Sequence, residues 1–449
     1  MSAEGTAFLF STPEMTETFS LSRQLRAMMQ FEWALTCALE KQRMADADAG
    51  AIVGSLIDAE FVDTSALVHA AFRTGNIAIP FVEQLIATVQ QQNEPASRMI
   101  HFGATSQDVL DTALVLQLRE ALRLIVSQID RLDTALVTQI KTHAETVITG
   151  RTWLQPGPPT TFGLKLAGTL AALRRHKTRI DAAAERVLVL QFGGAVGTLA
   201  ALGSEGENIS AEMARVLGLK EPELPWHTQR DNLVEVAAAL GLLIGGLGKI
   251  AKDIALLMQA EVGEVSEATG DGQGGSSSMP QKHNPVACAA VLAAAARVPG
   301  LVSTMLVSMQ QEHERGLGLW QAEWDTLPEI CKLAAAALGR TIEIAEGLVV
   351  DAARMASNLE AMLGLPQSEA VSAAMAPLIG RSAALDLVRK ACVQARDRNQ
   401  HLSEVLKKMP EVTAHLTPAE IDRLLQPGEY LGSAMRFIKR VVGEPDAHN

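Results

Sequence analysis

The chain has 449 residues, of which 48% are hydrophobic and only 4% are aromatic, and its formal net charge at pH 7 is −12. This length allows two or three domains with a large core, and abundant Ala and Leu favour helix over sheet. The acidic balance, without any basic run, argues against nucleic acid and anionic membranes as partners.

Several features predict a cytoplasmic protein that contacts no membrane. The N-terminal stretch MSAEGTAFLF has no basic region and no long apolar run, so we expect no signal peptide. The apolar run at residues 236–248 is shorter than the ~18–20 residues that span a bilayer, and it predicts a buried core helix. None of the cysteines forms a CxxC pair, and we expect buried free thiols, without zinc or disulfides, at Cys37, Cys288, Cys331 and Cys392.

The first part of the chain predicts helices joined by polar turns. Residues 19–49 have a helical pattern, and a turn at Gly75 precedes a further helix after Pro80. The polar stretch HFGATSQDVLDT, residues 101–112, then enters a new helix. Thr105 or Ser106 is expected to cap that helix, with Asp108 and Asp111 near its positive end.

Long helices dominate the middle of the chain. Between residues 119 and 147 apolar residues recur every three or four positions, as on one face of an amphipathic helix. The segment GRTWLQPGPPTTFG, residues 150–163, breaks the pattern with three prolines, and a second long helix follows. We expect three more helices, at residues 231–265, 285–311 and 327–350; the first is apolar on nearly all sides, so other helices must enclose it.

After residue 351 the helical patterns become shorter and more charged. The sequence therefore predicts an all-α subunit of three domains: an N-terminal helical domain at residues 1–108, a central long-helix bundle at 109–350 and a C-terminal helical domain at 351–449. In a bundle of long helices, functional groups collect where helices end, so the polar breaks are the candidate functional segments.

The third polar break, GQGGSSSMPQKHNP at residues 272–285, has a chemical interpretation of its own. Glycines free the backbone to close over a ligand, and N–H groups ahead of the helix near Pro285 favour an anion. Lys282 adds a full positive charge and Asn284 adds amide donors, a combination typical of an oxyanion site for a carboxylate or enolate. The alternative at this stage is a solvated loop.

The segment GSSSMPQKHNP, residues 275–285, resembles the G-S-S-x-M-P-x-K-x-N motif of the fumarase/aspartase superfamily. HFGATSQD and GRTWLQPGPPTTFG resemble the first and second conserved segments of that superfamily, in the same order along the chain. The resemblance implies a mostly α-helical, three-domain subunit. It also implies a homotetramer with a central twenty-helix core, whose active sites are shared between subunits.

The resemblance also implies roles for single residues. The family forms or breaks a bond next to a carboxylate through an aci-carboxylate, and by motif position Ser276 is the residue that transfers the proton. Lys282 and Asn284 stabilise carboxylate charge, while Thr105 and Ser106 bind a carboxylate. The predicted catalytic residues are Ser276, Lys282 and His101, and the predicted substrate-binding residues are Thr105, Ser106, Trp153, Gln155, Ser277, Asn284 and Arg315.

Two departures from the family pattern occur together. Most family lyases have a histidine where this chain has Trp153, and a glutamate where it has Ala289. That pair supplies a proton to the leaving group. A leaving amine or hydroxide benefits from a general acid, whereas a carboxylate with a pKa of about 4 does not. We therefore expect a carboxylate as nucleophile or leaving group.

The cycloisomerase branch of the superfamily fits this expectation, because there an internal carboxylate adds to a double bond and closes a lactone. GRTWLQ and QEHERGLGLWQAEWDTLPE, residues 311–329, resemble that branch. The implied partner is a small anionic substrate, a tricarboxylate muconate, and no cofactor or metal is needed. Lys282, Arg315 and His101 can supply its cations, with the planar fork of Arg315 as a carboxylate clamp.

Other interpretations remain open from sequence alone. Trp153 is alternatively a core aromatic, His101 a structural histidine, and Arg315 a member of a surface ion pair. A segment before the longest helix resembles one that places Arg230 near the site mouth in relatives. The functional alternatives are a substrate with a sulfonate at the 3-position, an adenylosuccinate lyase-like C–N lyase, and a silent helical scaffold.

Overall fold

The computed structural model describes residues 6–268, 274–275, 279 and 282–443. The described chain is mostly helical, with the long helices expected of a fumarase-like fold. In chain order its helices and strands are α1 Pro13–Thr18, α2 Leu21–Lys41, α3 Ala49–Gly54, α4 Thr64–Thr74, α5 Ala78–Gln92, α6 Glu94–Ser97, α7 Ser106–Thr142, β1 Val147–Thr152, β2 Gln155–Thr161, α8 Phe162–Val187, α9 Gly206–Leu217, α10 Asp231–Leu257, β3 Val265–Ser266, α11 Val286–Val307, α12 Leu319–Gly347, β4 Val349–Val350, α13 Ala352–Glu360, α14 Ser368–Ile379, α15 Arg381–Arg398, α16 Leu402–Leu406, α17 Pro410–Thr413, α18 Pro418–Leu424 and α19 Ala434–Val442.

The chain divides into two compact units. Unit 1 comprises residues 1–129, 176–245 and 293–339, and unit 2 comprises residues 130–175, 246–292 and 340–449. The three-domain division of the sequence stays a prediction.

The core of unit 1 forms around α2, α5 and the first turns of α7, with α9 packed against α2. Helix α2 begins where the Ser20 hydroxyl accepts the Arg23 N–H. Its buried face carries Phe31 and Leu35, and also one acid, Glu32, whose side chain is fully buried. A buried acid on an apolar face requires partners from other parts of the chain.

Unit 2 contains two small sheets and a helical core near the C-terminus. Strands β1 and β2 pair antiparallel, with Thr152 opposite Gln155, so that Trp153 and Leu154 form a two-residue turn. The expected break between two long helices at residues 150–163 is present, but most of it forms a hairpin that the sequence did not predict. Strands β3 and β4 pair as well, and a separate apolar cluster forms from α14 to α18.

Helix positions follow the apolar periodicity. Helix α7 begins at Ser106, where Thr105 or Ser106 was expected to cap it, whereas α10 ends at Leu257, short of the expected residue 265. The four cysteines are free, as predicted, but Cys37 and Cys392 are only partly buried.

Two helices, α10 and α11, are long and apolar enough to span a membrane by length and composition alone. In α10, 61% of the most apolar window is buried within the structure, as in a core helix, whereas only 28% of the α11 window is buried. Large apolar side chains stay exposed on these two helices, at Leu242, Val286, Leu306 and Val307.

Candidate active site

His101 is held by a buried carboxylate from α2. Its ring Nδ1 lies 2.7 Å from Oε1 of Glu32, and its main-chain N–H donates to Oε2 of the same carboxylate at 2.9 Å. The Glu32 side chain is fully buried, and that of His101 is 21% exposed. One nitrogen of the ring is thus engaged by the protein, and the imidazole stays accessible from one side.

The pKa of His101 is raised above its ordinary value. Burial acts first and by itself lowers the pKa, because it disfavours the charged ring. The charge and hydrogen bond of Glu32, together with the charge of Asp108, outweigh burial and favour the imidazolium. The raised pKa of His101 therefore favours the cationic ring more than in a free histidine, which suits the binding of an anion.

Asp108, in the first turn of α7, organises the loops around His101. Its carboxylate accepts the N–H groups of Thr105 at 3.1 Å, Gly193 at 3.1 Å and Gly194 at 2.9 Å. On another side, Nε2 of the buried His227 lies 2.6 Å from Asp108 Oδ1. Thr105 and the start of α7 at Ser106 are thereby fixed in place, with the positive end of a long helix nearby.

Gly194 lies where two loops of unit 1 approach each other closely. Gly194 has φ +67°, and a Cβ at this position would lie 2.8 Å from the carbonyl oxygen of Gly103. Only glycine combines that backbone conformation with that approach. The segment after His101 and the loop at residues 193–195 therefore contact each other backbone to backbone.

Arg315 belongs to the same cluster but does not form the surface ion pair considered above. Nη2 donates to the carbonyls of Gly194 at 2.7 Å and Ala195 at 3.0 Å, and Nη1 donates to the Gln107 amide oxygen at 3.3 Å. No described carboxylate forms an ion pair with it. The structure thus brings together His101, Thr105, Ser106 and Arg315, all of them predicted site residues in unit 1.

Arg230 lies in the interior and not at the site mouth, so that expectation is wrong. Its side chain is fully buried, with Nη1 2.7 Å from Asp111 and Nη2 2.6 Å from Glu323. The Trp320 indole N–H also donates to Asp111, at 3.0 Å. Asp111 follows Asp108 by one turn of α7, so this buried cluster supports the helix behind the site.

In unit 2, Trp153 lies at the tip of the β1–β2 hairpin and is 97% exposed. The interpretation of Trp153 as a core aromatic is therefore wrong for this chain. Trp153 and Leu154 have φ of +54° and +63°, a conformation that Asn and Gly usually supply in such turns. Gln155 follows the tip and is also exposed.

A buried ion pair fixes this hairpin to the segment that precedes the motif loop, a name we give to residues 268–285. Nη1 and Nη2 of Arg151 donate to the carboxylate of Glu264 at 2.8 and 2.7 Å, and the Glu264 side chain is fully buried. Asn358 from α13 donates to the same carboxylate at 2.9 Å. Because Arg151 donates two hydrogen bonds to one carboxylate, the pair fixes the relative orientation of the two side chains as well as their distance.

Glu267, directly before the motif loop, binds the start of the helix that follows the loop. The Glu267 carboxylate accepts the N–H groups of Ala287 at 3.0 Å and Cys288 at 2.8 Å, in the first turn of α11. Within the loop, Asn284 donates its main-chain N–H to Gly274 at 2.8 Å. Lys282 is exposed and Asn284 is partly buried, whereas Ser276 and Ser277 lie outside the described residues.

Sequence reasoning missed three carboxylates and a histidine: Glu32, Glu264, Glu267 and His227. Two of them were detectable as polar residues within apolar surroundings. Glu32 interrupts the buried face of α2, and Glu264 precedes the buried Val265. Such positions demand a partner, although the sequence does not say which.

The chemistry available to these groups is that of binding and stabilising anions. Unit 1 offers an imidazole with a raised pKa, a helix start and a guanidinium, and unit 2 offers an ammonium and amide donors ahead of α11. Among the described residues, no group of three or more His, Cys, Asp or Glu side chains is arranged to hold a metal ion.

Comparisons with known proteins identify the family of this chain. Residues 8–300 match the lyase family, and residues 364–441 match the adenylosuccinate lyase C-terminus. The chain is 49% identical over 441 residues to 3-carboxy-cis,cis-muconate cycloisomerase of Pseudomonas aeruginosa, a match that covers 98% of this chain and 96% of that one.

Solved structures show the same similarity. The 3-carboxy-cis,cis-muconate lactonizing enzyme from Pseudomonas putida superimposes with a TM-score of 0.92 at 47% identity, covering 98% of both chains. The β-carboxy-cis,cis-muconate cycloisomerase from Acinetobacter calcoaceticus superimposes with a TM-score of 0.92 at 41% identity, covering 98% of this chain and all of that one. The chain therefore belongs to the lyase family of the fumarase/aspartase superfamily.

Proposed function

We propose that the protein is a cycloisomerase that closes 3-carboxy-cis,cis-muconate to 4-carboxymuconolactone, in the protocatechuate branch of aromatic degradation. The observation that carries this proposal is the match to the Pseudomonas aeruginosa cycloisomerase, which covers 98% of this chain at 49% identity. A match that covers nearly the whole chain supports assigning the same reaction to this protein more strongly than a match to the motif loop alone.

The composition of the site supports the same reaction. Trp153 and Ala289 stand where lyases that expel a basic group have a histidine and a glutamate. In lactone formation the internal carboxylate is the nucleophile, and in the reverse direction it is the leaving group. A carboxylate with a pKa of about 4 leaves without protonation, so the missing acid is no obstacle.

The bond changes balance without a cofactor. An oxygen of one substrate carboxylate bonds to an alkene carbon, and the π electron pair moves towards the carbon next to another carboxylate, giving an aci-carboxylate. That carbon then takes a proton, which we assign to Ser276. The aci-carboxylate carries extra negative charge, and Lys282 and Asn284 are placed by motif position to stabilise it.

The remaining predicted residues are proposed to bind the other carboxylates. Thr105 and Ser106 lie at the positive end of α7, and the raised pKa of His101 favours its cationic form. Arg315 has most of its donors engaged with loop carbonyls, so we assign it to orienting that loop as well as to the substrate. Trp153 is proposed to form an apolar wall that keeps water from the intermediate.

We further propose a homotetramer with a twenty-helix core, located in the cytoplasm, whose active sites are shared between subunits. The exposed apolar residues on α10 and α11 support this assembly, because a soluble helix that is apolar on most sides is normally enclosed by others. The exposed Trp153 at a hairpin tip is likewise suited to project into a neighbouring subunit.

The reaction is tested by incubating the purified protein with candidate substrates and following ultraviolet absorbance. Loss of the conjugated diene of 3-carboxy-cis,cis-muconate marks lactonisation. The 3-sulfo analogue tests the alternative substrate, and fumarate release from adenylosuccinate tests C–N lyase activity. Fumarate release without diene loss would reject the proposal, and so would the absence of any reaction.

The shared site has its own test. Light scattering should give the mass of four chains. Mixing inactive His101→Gln subunits with inactive Ser276→Ala subunits should restore part of the activity if these residues meet across a subunit boundary. Mixtures that stay as inactive as their components would show that each site is built from a single chain.

A further inference from the structure

Glu32 contacts both the side chain and the main chain of His101. One carboxylate oxygen lies 2.7 Å from ring Nδ1, and the other accepts the main-chain N–H at 2.9 Å. Glu32 belongs to α2 and His101 precedes α7, so the contact links two elements of unit 1. Because both oxygens of the Glu32 carboxylate contact His101, this side chain fixes one particular residue and does not merely occupy the core.

The backbone of His101 explains why two contacts are needed. His101 has φ +60°, a left-handed conformation that is uncommon for residues other than glycine. The hydrogen bond from its main-chain N–H to Glu32 holds that conformation, and the second oxygen holds the ring. Nδ1 therefore faces Glu32, and Nε2 has no hydrogen-bond partner among the described residues.

The charges around the ring favour its protonated form. Glu32 acts from α2 and Asp108 acts from the first turn of α7, and both oppose the effect of burial. Asp108 is itself paired with His227 on its other side. With Nδ1 donating to Glu32, Nε2 carries a proton only when the ring is an imidazolium.

We propose that Glu32 is a positioning residue that keeps His101 as an imidazolium, with its Nε2–H available to a carboxylate of the substrate. For the identity of that carboxylate the inference rests on the proposed function. The pairing itself does not, because it concerns only the charge and orientation of the ring.

The pairing is tested without substrate, by measuring how fast diethyl pyrocarbonate modifies His101 across a pH series. The reagent attacks the neutral ring, and mass spectrometry of the His101 peptide isolates its rate. In the wild-type protein the inflection should lie above the ordinary histidine pKa of about 6.5. Glu32→Gln should move it down by about one unit, which lowers the ratio of protonated to neutral ring about tenfold.

Glu212→Gln is the matched control. Glu212 is also a nearly buried carboxylate of unit 1, 8% exposed, and it pairs with Lys41 and Arg215 away from His101. The control should leave the His101 inflection unchanged even if it lowers stability. A wild-type inflection at or below about 6.5 would overturn the proposal whether or not Glu32→Gln folds.

The substrate contact is tested by the pH dependence of KM. Glu32→Gln should raise KM about tenfold at pH 7.5 and change kcat less, whereas Glu32→Asp, which keeps the charge, should recover part of the loss. If Glu32→Gln shifts the His101 inflection but leaves KM unchanged, the proposed contact between His101 and a substrate carboxylate is overturned. An inactive wild-type protein with a raised inflection would instead reject the proposed reaction and retain the pairing.

Discussion

Replacing Arg230 by methionine removes the cation at the centre of the buried cluster behind the site. Arg230 is fully buried, and it contacts two carboxylates, those of Asp111 and Glu323, whose side chains are 2% and 0% exposed. Methionine is unbranched and flexible, and it fills much of the volume that the arginine stem occupies. The substitution therefore tests the charge more than the packing.

The structure sets the size of the expected effect. Removing one partner of a buried ion pair costs about 3–5 kcal/mol, because the other partner is left desolvated and uncompensated. Here two carboxylates lose their cation, but Trp320 still donates to Asp111 at 3.0 Å and Gln311 to Glu323 at 3.0 Å. With those donors in place, we expect about 4 kcal/mol and not twice the value for a single pair.

The pKa of Glu323 predicts how the destabilisation by Arg230→Met changes with pH. Burial raises the pKa of Glu323 above its ordinary value, although Arg230 lowers it. A carboxyl group whose pKa is raised in the folded state stabilises the fold. That stabilisation is fully present below the pKa of about 4.3 that the group has in the unfolded chain, and it is lost as the pH rises through the pKa of the folded state. Without Arg230 the folded pKa rises further, so the destabilisation of Arg230→Met should be larger at pH 8 than at pH 5.

Guanidinium unfolding followed by circular dichroism, at one fixed protein concentration, measures both effects. Arg297→Met is the control, because Arg297 pairs with Glu329 where the side chains are 44% and 31% exposed, and it should cost no more than about 1 kcal/mol. If Arg230→Met costs no more than this control, or if its cost is the same at both pH values, the reasoning from buried charge is refuted.

Three further predictions concern catalysis. Ser276→Ala should lower kcat by ~10²–10⁴ with a smaller effect on KM, the usual scale for a proton-transfer residue, and near-wild-type turnover would remove Ser276 from the mechanism. Arg315→Met should raise KM steeply in steady-state assays, with Arg315→Lys as the charge-retaining comparison; unchanged constants would place Arg315 outside the site. Trp153→His combined with Ala289→Glu should reduce lactonisation without creating adenylosuccinate cleavage, and undiminished diene loss would show that Trp153 has no role in the reaction.

The sequence indicated the helical class and the candidate segments because both depend on local signals. Apolar residues at helical spacing locate α7, and the motif of the loop at residues 275–285 is long enough to be specific. The start of α7 at Ser106 follows from its polar entry segment, but the loop N–H groups that bind Asp108 in its first turn are distant in sequence and could not be predicted.

The β1–β2 hairpin could not be predicted for a related reason. Strand β2 contains three prolines and shows no alternation of polar and apolar residues, so propensity argues against a strand. A two-stranded hairpin tolerates prolines, since one edge of β2 has no ladder to complete. The buried pair between Arg151 and Glu264 supplies stabilisation that the hairpin sequence lacks.

The anchoring of the polar segments is a common principle that only the structure reveals. HFGATSQD is held by Glu32 through His101, GRTWLQ by Glu264 through Arg151, and the first turn of α11, directly after the motif loop, by Glu267. Each anchor is a carboxylate that binds two donors, so it fixes a direction as well as a position. A segment that must present exposed polar groups to a ligand cannot be held by burial of its own side chains. A carboxylate from a neighbouring packed element can hold it from behind, and for this reason the three anchoring carboxylates lie outside the segments that carry the resemblance.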